Sequence, residues 1–178
     1  AFYDPLYDLL GVKWVNYKRS WRELEPNNSG QYTPKTDPAQ WTYSAVAAAN
    51  LSPYVTVHGL PRWAIDWPMG TDPGTDDISH AQSQSYPPLN YLEYESFMQK
   101  VAQEQVAFRL ALLPNQQHGL YQVHWEPGLT WLGTDSDFIS MYQYAYSGLH
   151  AGDPDAIVLG PTYGLPDDRY PHLVSLLS

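Results

Sequence analysis

Four short runs rich in β-branched and aromatic residues recur along the chain, and each is separated from the next by a segment with helical spacing. The runs are VKWVNY (12–17), PYVTVHG (53–59), LYQVHW (120–125) and AIVLGP (156–161). Helical patterns occupy 38–50, 89–112 and 136–152 between them, and 2–10 and the C-terminal YPHLVSLLS outside them. Parallel neighbours need a long crossover connection, so alternation of this kind predicts an α/β fold with a parallel sheet flanked by helices. Punctuation residues agree with the segments. Asp37 and Pro38 suit the start of one helix and Asn90 the cap of the next, while Ser136 or Asp137 suits the start of the third and Gly152 its end.

Two connections break the pattern. Residues 24–38 and 60–88 are dense in Pro, Gly, Asn, Asp and Ser and show no period. Unstructured connections of such length in a compact domain are as a rule functional or disordered. Nothing reads as a linker between domains, and 178 residues suffice for one domain with a sizeable core.

Charge and composition remove whole classes of function. The formal net charge is −10, and the only basic cluster is YKRSWR at 17–22, so a nucleic-acid partner is excluded on electrostatic grounds. No apolar stretch approaches the roughly 20 residues that span a bilayer, so no membrane insertion is expected. Cysteine is absent, which removes disulfides, thiolate metal sites and a thiol nucleophile. The six histidines show no His-x-His or HExxH spacing on one element, so no metal site is expected. There is no Gly-x-Ser-x-Gly turn for a serine hydrolase, and neither GxGxxG nor GxxxxGK[ST] for a nucleotide, so no cofactor is expected. The chain is instead aromatic, with 7 Trp, 15 Tyr and 4 Phe, many beside Pro, Gly or Asp. Such rings suit the apolar faces of sugars, and equally suit core and interface packing.

Each strand runs into a large aromatic loop: NYKRSWRELEP, HGLPRWAIDWP, HWEPGLTWLG and GPTYGLP. Loops of this kind at strand ends fit a barrel acting on a bulky polar ligand. Together the segments resemble the clan A glycoside hydrolases, in a form similar to family 39. SWRELEPNNSGQYT resembles the segment after barrel strand 2, VTVHGLPRWA the end of strand 3, YQVHWEP the end of strand 4, and GDPDAIVLGPTYG the approach to strand 5 and its end. The match covers about residues 11–165.

The resemblance implies a (β/α)8 TIM barrel, present in part, forming one glycosidase-type domain over 1–178. Strand 1 would precede residue 1 and strands 6 to 8 would follow residue 178, since a complete barrel takes about 250 residues. It implies retaining hydrolysis of O-glycosidic bonds in a polysaccharide or glycoside, and a secreted or periplasmic location. Glu126 matches the general acid/base, and the nucleophile would come from strand 7, outside this sequence. His58 matches a substrate-binding histidine; Asn16, Trp63, Trp125 and Tyr163 are further candidate substrate contacts. Trp67 and Trp131 are candidate stacking platforms, and Glu25 matches a position that is not catalytic. Two positions depart from the pattern. Trp125 stands where the family places an asparagine before the acid/base, and Asn16 where it often has arginine. Tryptophan donates one hydrogen bond and accepts none, so recognition of the sugar 2-hydroxyl must differ or catalysis has been lost. Two alternatives therefore stand beside the enzyme: a non-catalytic carbohydrate-binding barrel, and an α/β domain whose Trp-rich loops bind a protein.

Overall fold

The computed structural model describes residues 9–33, 43–124 and 126–161. It contains one parallel sheet of four strands in the order β1-β2-β3-β4, where β1 is Trp14–Ser20, β2 Ser52–His58, β3 Leu120–Val123 and β4 Ile157–Leu159. The helices are α1 (Trp21–Leu24), α2 (43–48), α3 (Tyr91–Leu112), α4 (Pro127–Thr130) and α5 (Asp135–Gly152). The predicted helix over 2–10 lies, but for its last two residues, outside the described residues, as does the C-terminal one.

β1 ends later than the sequence pattern predicts. Lys18, Arg19 and Ser20 lack strand character, yet they pair with Thr56, Val57 and His58 of β2. Backbone pairing to a neighbour overrides local propensity there. The extension carries β1 level with the end of β2, where the site lies.

The sheet has two unlike faces. Val55, Val57, Tyr121 and Val123 point to the helices and share a core with Phe97, Met98 and Val101 of α3 and with Met141 and Ala145 of α5. The helices approach closely because α5 places glycines at the contact. A Cβ on Gly148 would lie 2.3 Å from the Glu95 carbonyl oxygen, and one on Gly152 2.3 Å from that of Gln99. Asn90 caps α3, its side chain accepting from the Leu92 and Glu93 amides. The cap of α5 is Thr134, upstream of the predicted Ser136 or Asp137; Asp137 returns the bond as the partner in a capping box.

The opposite face is polar. Asn16 Nδ2 donates to Thr56 Oγ1 at 2.6 Å, and Thr56 Oγ1 donates to Gln122 Oε1 at 3.0 Å, forming a rung across three strands. By the two-residue period, Lys18, Ser20 and His58 lie on this face too.

The 60–88 excursion is ordered. It makes single turns at Arg62–Ala64 and Gln82–Gln84 and a bridge between Ile65 and Pro88. Leu60, Ala64, Ile65 and Ile78 bury their side chains in the main core. The loop is held at both ends, Leu60 N–H donating to Ser83 and Leu89 N–H to Ala64. Its irregularity reflects short local bonds without a period.

Candidate functional site

The carboxyl ends of β1, β2 and β3 converge, and the chain leaves each differently. After β2, His58 is followed by Gly59 at φ 66°, and a Cβ there would lie 2.8 Å from Ser20 Oγ. Both the left-handed backbone and the close approach of β1 call for glycine. β3 has no such residue. The His124 amide makes one more ladder bond, to the Val57 carbonyl at 2.9 Å. The backbone is then left-handed at His124 (φ 65°) and again at Glu126 (φ 47°). Non-glycine residues in this region cost about 1–2 kcal/mol each, and such strain concentrates at functional sites. Asn50 is the only other such residue among those described, and asparagine tolerates this conformation.

Glu126 is half-buried and precedes Pro127, the first residue of α4. Its carbonyl accepts from the Leu129 amide at 3.0 Å. Its carboxylate does not cap the helix, and among the described residues it makes no ion pair or hydrogen bond. The usual structural employment of a strand-end glutamate is therefore missing.

His124 is 3% exposed. Its Nε2–H donates to the Gln84 carbonyl at 2.9 Å, and its ring meets Trp131 and Phe138 edge-on. Strand alternation stops at Val123, so His124 and Glu126 are not placed on one face by period. His124 is a packing residue that fastens the 60–88 excursion to β3.

His58 is the other strand-end histidine. Its Nδ1 is buried without a hydrogen-bond partner. Burial, reinforced by His80 and Lys18, pulls its pKa down to about 4, so the ring is neutral at pH 7. His80 stands edge-on to it at 4.9 Å between ring centroids. The Gln84 amide Nε2 lies 2.9 Å from His80 Nε2 and donates to it, which puts the neutral ring's proton on Nδ1. Burial, then Arg22 and Lys18, also lower the His80 pKa. These rings border a cleft of about 320 Å³ lined by Lys18, Ser20, Arg22, Glu23, His58 and His80.

The other predicted residues fall into three groups. Asn16 lies four positions before the end of β1, its amide engaged with Thr56. It is not among the strand-end residues. Trp63, Trp67 and Trp131 all donate their indole N–H to backbone carbonyls, of Glu25, Arg62 and Thr134. Trp63 also packs edge-on against Trp21, so its first role is structural. Trp125 and Tyr163 lie outside the described residues. Glu25 is 1% exposed and tied up, accepting from Trp21 Nε1 at 2.9 Å and Lys100 Nζ at 2.7 Å. Sequence reasoning missed His80 and Gln84; only the length of their loop pointed toward them.

Among the described residues no cluster of three or more His, Asp or Glu is arranged to hold a metal. No described helix is long and apolar enough to cross a membrane.

No protein-family model and no curated protein matches the sequence. Solved structures do match. A family 39 glycoside hydrolase from the gut symbiont Bacteroides cellulosilyticus WH2 superposes with a TM-score of 0.58 at 16% identity, over 89% of this chain and 28% of that one. A glucosidase from Croceicoccus marinus does so with a TM-score of 0.61 at 12% identity, over 98% of this chain and 36% of that one. The chain thus spans 28–36% of the length of these structures. What it shares with these glycoside hydrolases, over that part of their length, is the fold.

Proposed function

We propose that this chain is the part of a (β/α)8 barrel that carries strands 2 to 5, and that the whole protein hydrolyses O-glycosidic bonds with retention of configuration. Glu126 is the general acid/base, and a carboxylate from a later strand, outside this sequence, is the nucleophile. The observation that carries this is the state of Glu126. It sits just past the carboxyl end of β3, the end where barrels act, in a strained left-handed backbone and with a carboxylate uncommitted among the described residues. The fold shared with two glycoside hydrolases supports the same reaction class.

Retaining hydrolysis needs two carboxyls about 5–5.5 Å apart. The first step breaks the bond between the anomeric carbon and the leaving oxygen. Glu126 gives that oxygen its proton while the nucleophile bonds to carbon. In the second step Glu126, now a carboxylate, takes a proton from the water that attacks the same carbon. His58, neutral and open to the cleft at the neighbouring strand end, is suited to hydrogen-bond a sugar hydroxyl.

The test is Glu126→Gln in the full-length protein, assayed on glycosides with poor and good leaving groups. Loss of the acid is expected to slow a poor leaving group by about 10²–10⁴-fold. A dinitrophenyl leaving group needs no proton, so its departure slows far less. Unchanged turnover on both substrates refutes the assignment. Trp125, in place of the family's asparagine, favours the second reading, a carbohydrate-binding barrel without catalysis. Saccharide binding with no measurable hydrolysis of either substrate would establish that one instead.

A further inference from the structure

We propose that the cleft between the ends of β1 and β2 is a subsite for an anionic substituent of the saccharide, a carboxylate or a sulfate ester, held by Lys18, Arg22, His58 and His80. The word saccharide rests on the glycosidase reading; the anion specificity rests on the cleft itself.

Charge placement points to an anion. The chain has 9 Lys and Arg against 19 Asp and Glu, yet two of those cations line this one cleft beside a single carboxylate, Glu23. The neighbouring Arg19 shows that position matters. It points to the other face of the sheet, is 3% exposed and pairs with Glu104 of α3. Strand alternation thus sends Arg19 into the structure, and Lys18 and Ser20 to the cleft. Arg22 is steadied by one bond from Nη1 to the Ile78 carbonyl at 2.8 Å. A guanidinium has five N–H donors in a rigid fork, so this bond orients the group and leaves donors over for an oxyanion.

The histidine pair points the same way. Two imidazoles from different elements, β2 and the 60–88 excursion, meet at 4.9 Å in the field of Lys18 and Arg22. The groups that face His58 are Lys18 from β1, Glu23 from α1, His80 from the excursion and His124 from the end of β3; only Glu23 favours its charged form. The groups acting on His80 are Arg22 and Lys18, and both disfavour its charged form. An anion seated among these groups reverses the balance. It offsets the two cations and gives a protonated imidazole a partner. Bound-state pKa values then exceed free-state values, so binding takes up protons and tightens as pH falls.

The experiment is calorimetric titration of the full-length protein carrying Glu126→Gln with glucuronate, glucose 6-sulfate and glucose, at pH 7 and 5.5, in two buffers of different ionisation heat. At least one of the two anions is expected to bind about tenfold or more tightly than glucose, the worth of one charge-assisted hydrogen bond. Its affinity rises toward pH 5.5, and the buffer dependence shows proton uptake. Which anion gains identifies the substituent. The double variant Lys18→Met, Arg22→Met loses the preference while keeping its affinity for glucose. Equal binding of all three ligands overturns the subsite, as does an anion preference that survives in the double variant. The glycosidase reading fails separately. Hydrolysis of neutral glycosides by the parent protein without anion preference overturns this inference and leaves that reading intact; anion preference without hydrolysis of charged or neutral glycosides does the reverse.

Discussion

β2 and β3 lie side by side and both reach a histidine at their carboxyl end, yet they leave the sheet by opposite means. After His58 the chain turns through a glycine, and the turn costs little. After Val123 it turns through His124 and Glu126, and a glutamate does not favour a left-handed backbone. A histidine with an unpartnered nitrogen stands at the first end, and a carboxylate with no structural bond among the described residues at the second. The two ends differ in the turn itself: glycine makes it after His58, and two residues with side chains make it after Val123. The helix-covered face behind them is close-packed, with Val57, Val123, Phe97 and Met98 each at or below 1% exposure. A sheet that was only a scaffold would not carry either cost.

The contrast can be broken at each end. The largest effect belongs to acid. His58 has a folded pKa of about 4 against 6.5 in the unfolded chain. The unfolded state therefore binds more protons between these values, and the stability that neutral His58 contributes is complete above 6.5. It is lost as pH falls toward 4, by up to about 3 kcal/mol. Urea unfolding at pH 7 and pH 4 measures this, and His58→Gln should remove that part of the slope. A slope unchanged in the variant would mean that the ring is solvated rather than buried. Next comes Gly59→Ala, which imposes a left-handed alanine and a contact with Ser20 Oγ. It should cost about 2 kcal/mol in unfolding free energy. The smallest effect has the opposite sign. Glu126→Gly relieves strain and should stabilise the protein by up to about 1 kcal/mol and, on the proposed mechanism, slow hydrolysis of a poor leaving group by about 10²–10⁴-fold. Destabilisation by Glu126→Gly would show that the side chain is structural and that the two strand ends are alike.

Much of the frame was legible in the residues, for physical reasons. β2 and α3 carry strong periods, and Asn90 marks the start of α3 because its side chain accepts two orphan amides. The end of β1 was not legible. Lys18, Arg19 and Ser20 are strand residues only because β2 lies beside them. The 60–88 excursion had no period to read, since it is fixed by single bonds such as His124 to Gln84. At the site, Glu126 was visible as a carboxylate at a strand end followed by proline. Its own left-handed backbone was not, because glutamate is not a residue type that announces one. His80 joins His58 only through tertiary structure, so one half of that pair was invisible in the sequence.

Replacement of Glu126 by alanine in the full-length protein, with azide supplied, tests the central claim most directly. On the proposed mechanism, the variant still forms the covalent intermediate from an aryl glycoside with a good leaving group, but it lacks a base to activate water. Azide needs no deprotonation and enters the space that the carboxylate vacates. The account predicts that azide restores turnover and that the product is a glycosyl azide of retained configuration. Turnover in Glu126→Ala that matches the parent without azide would contradict it.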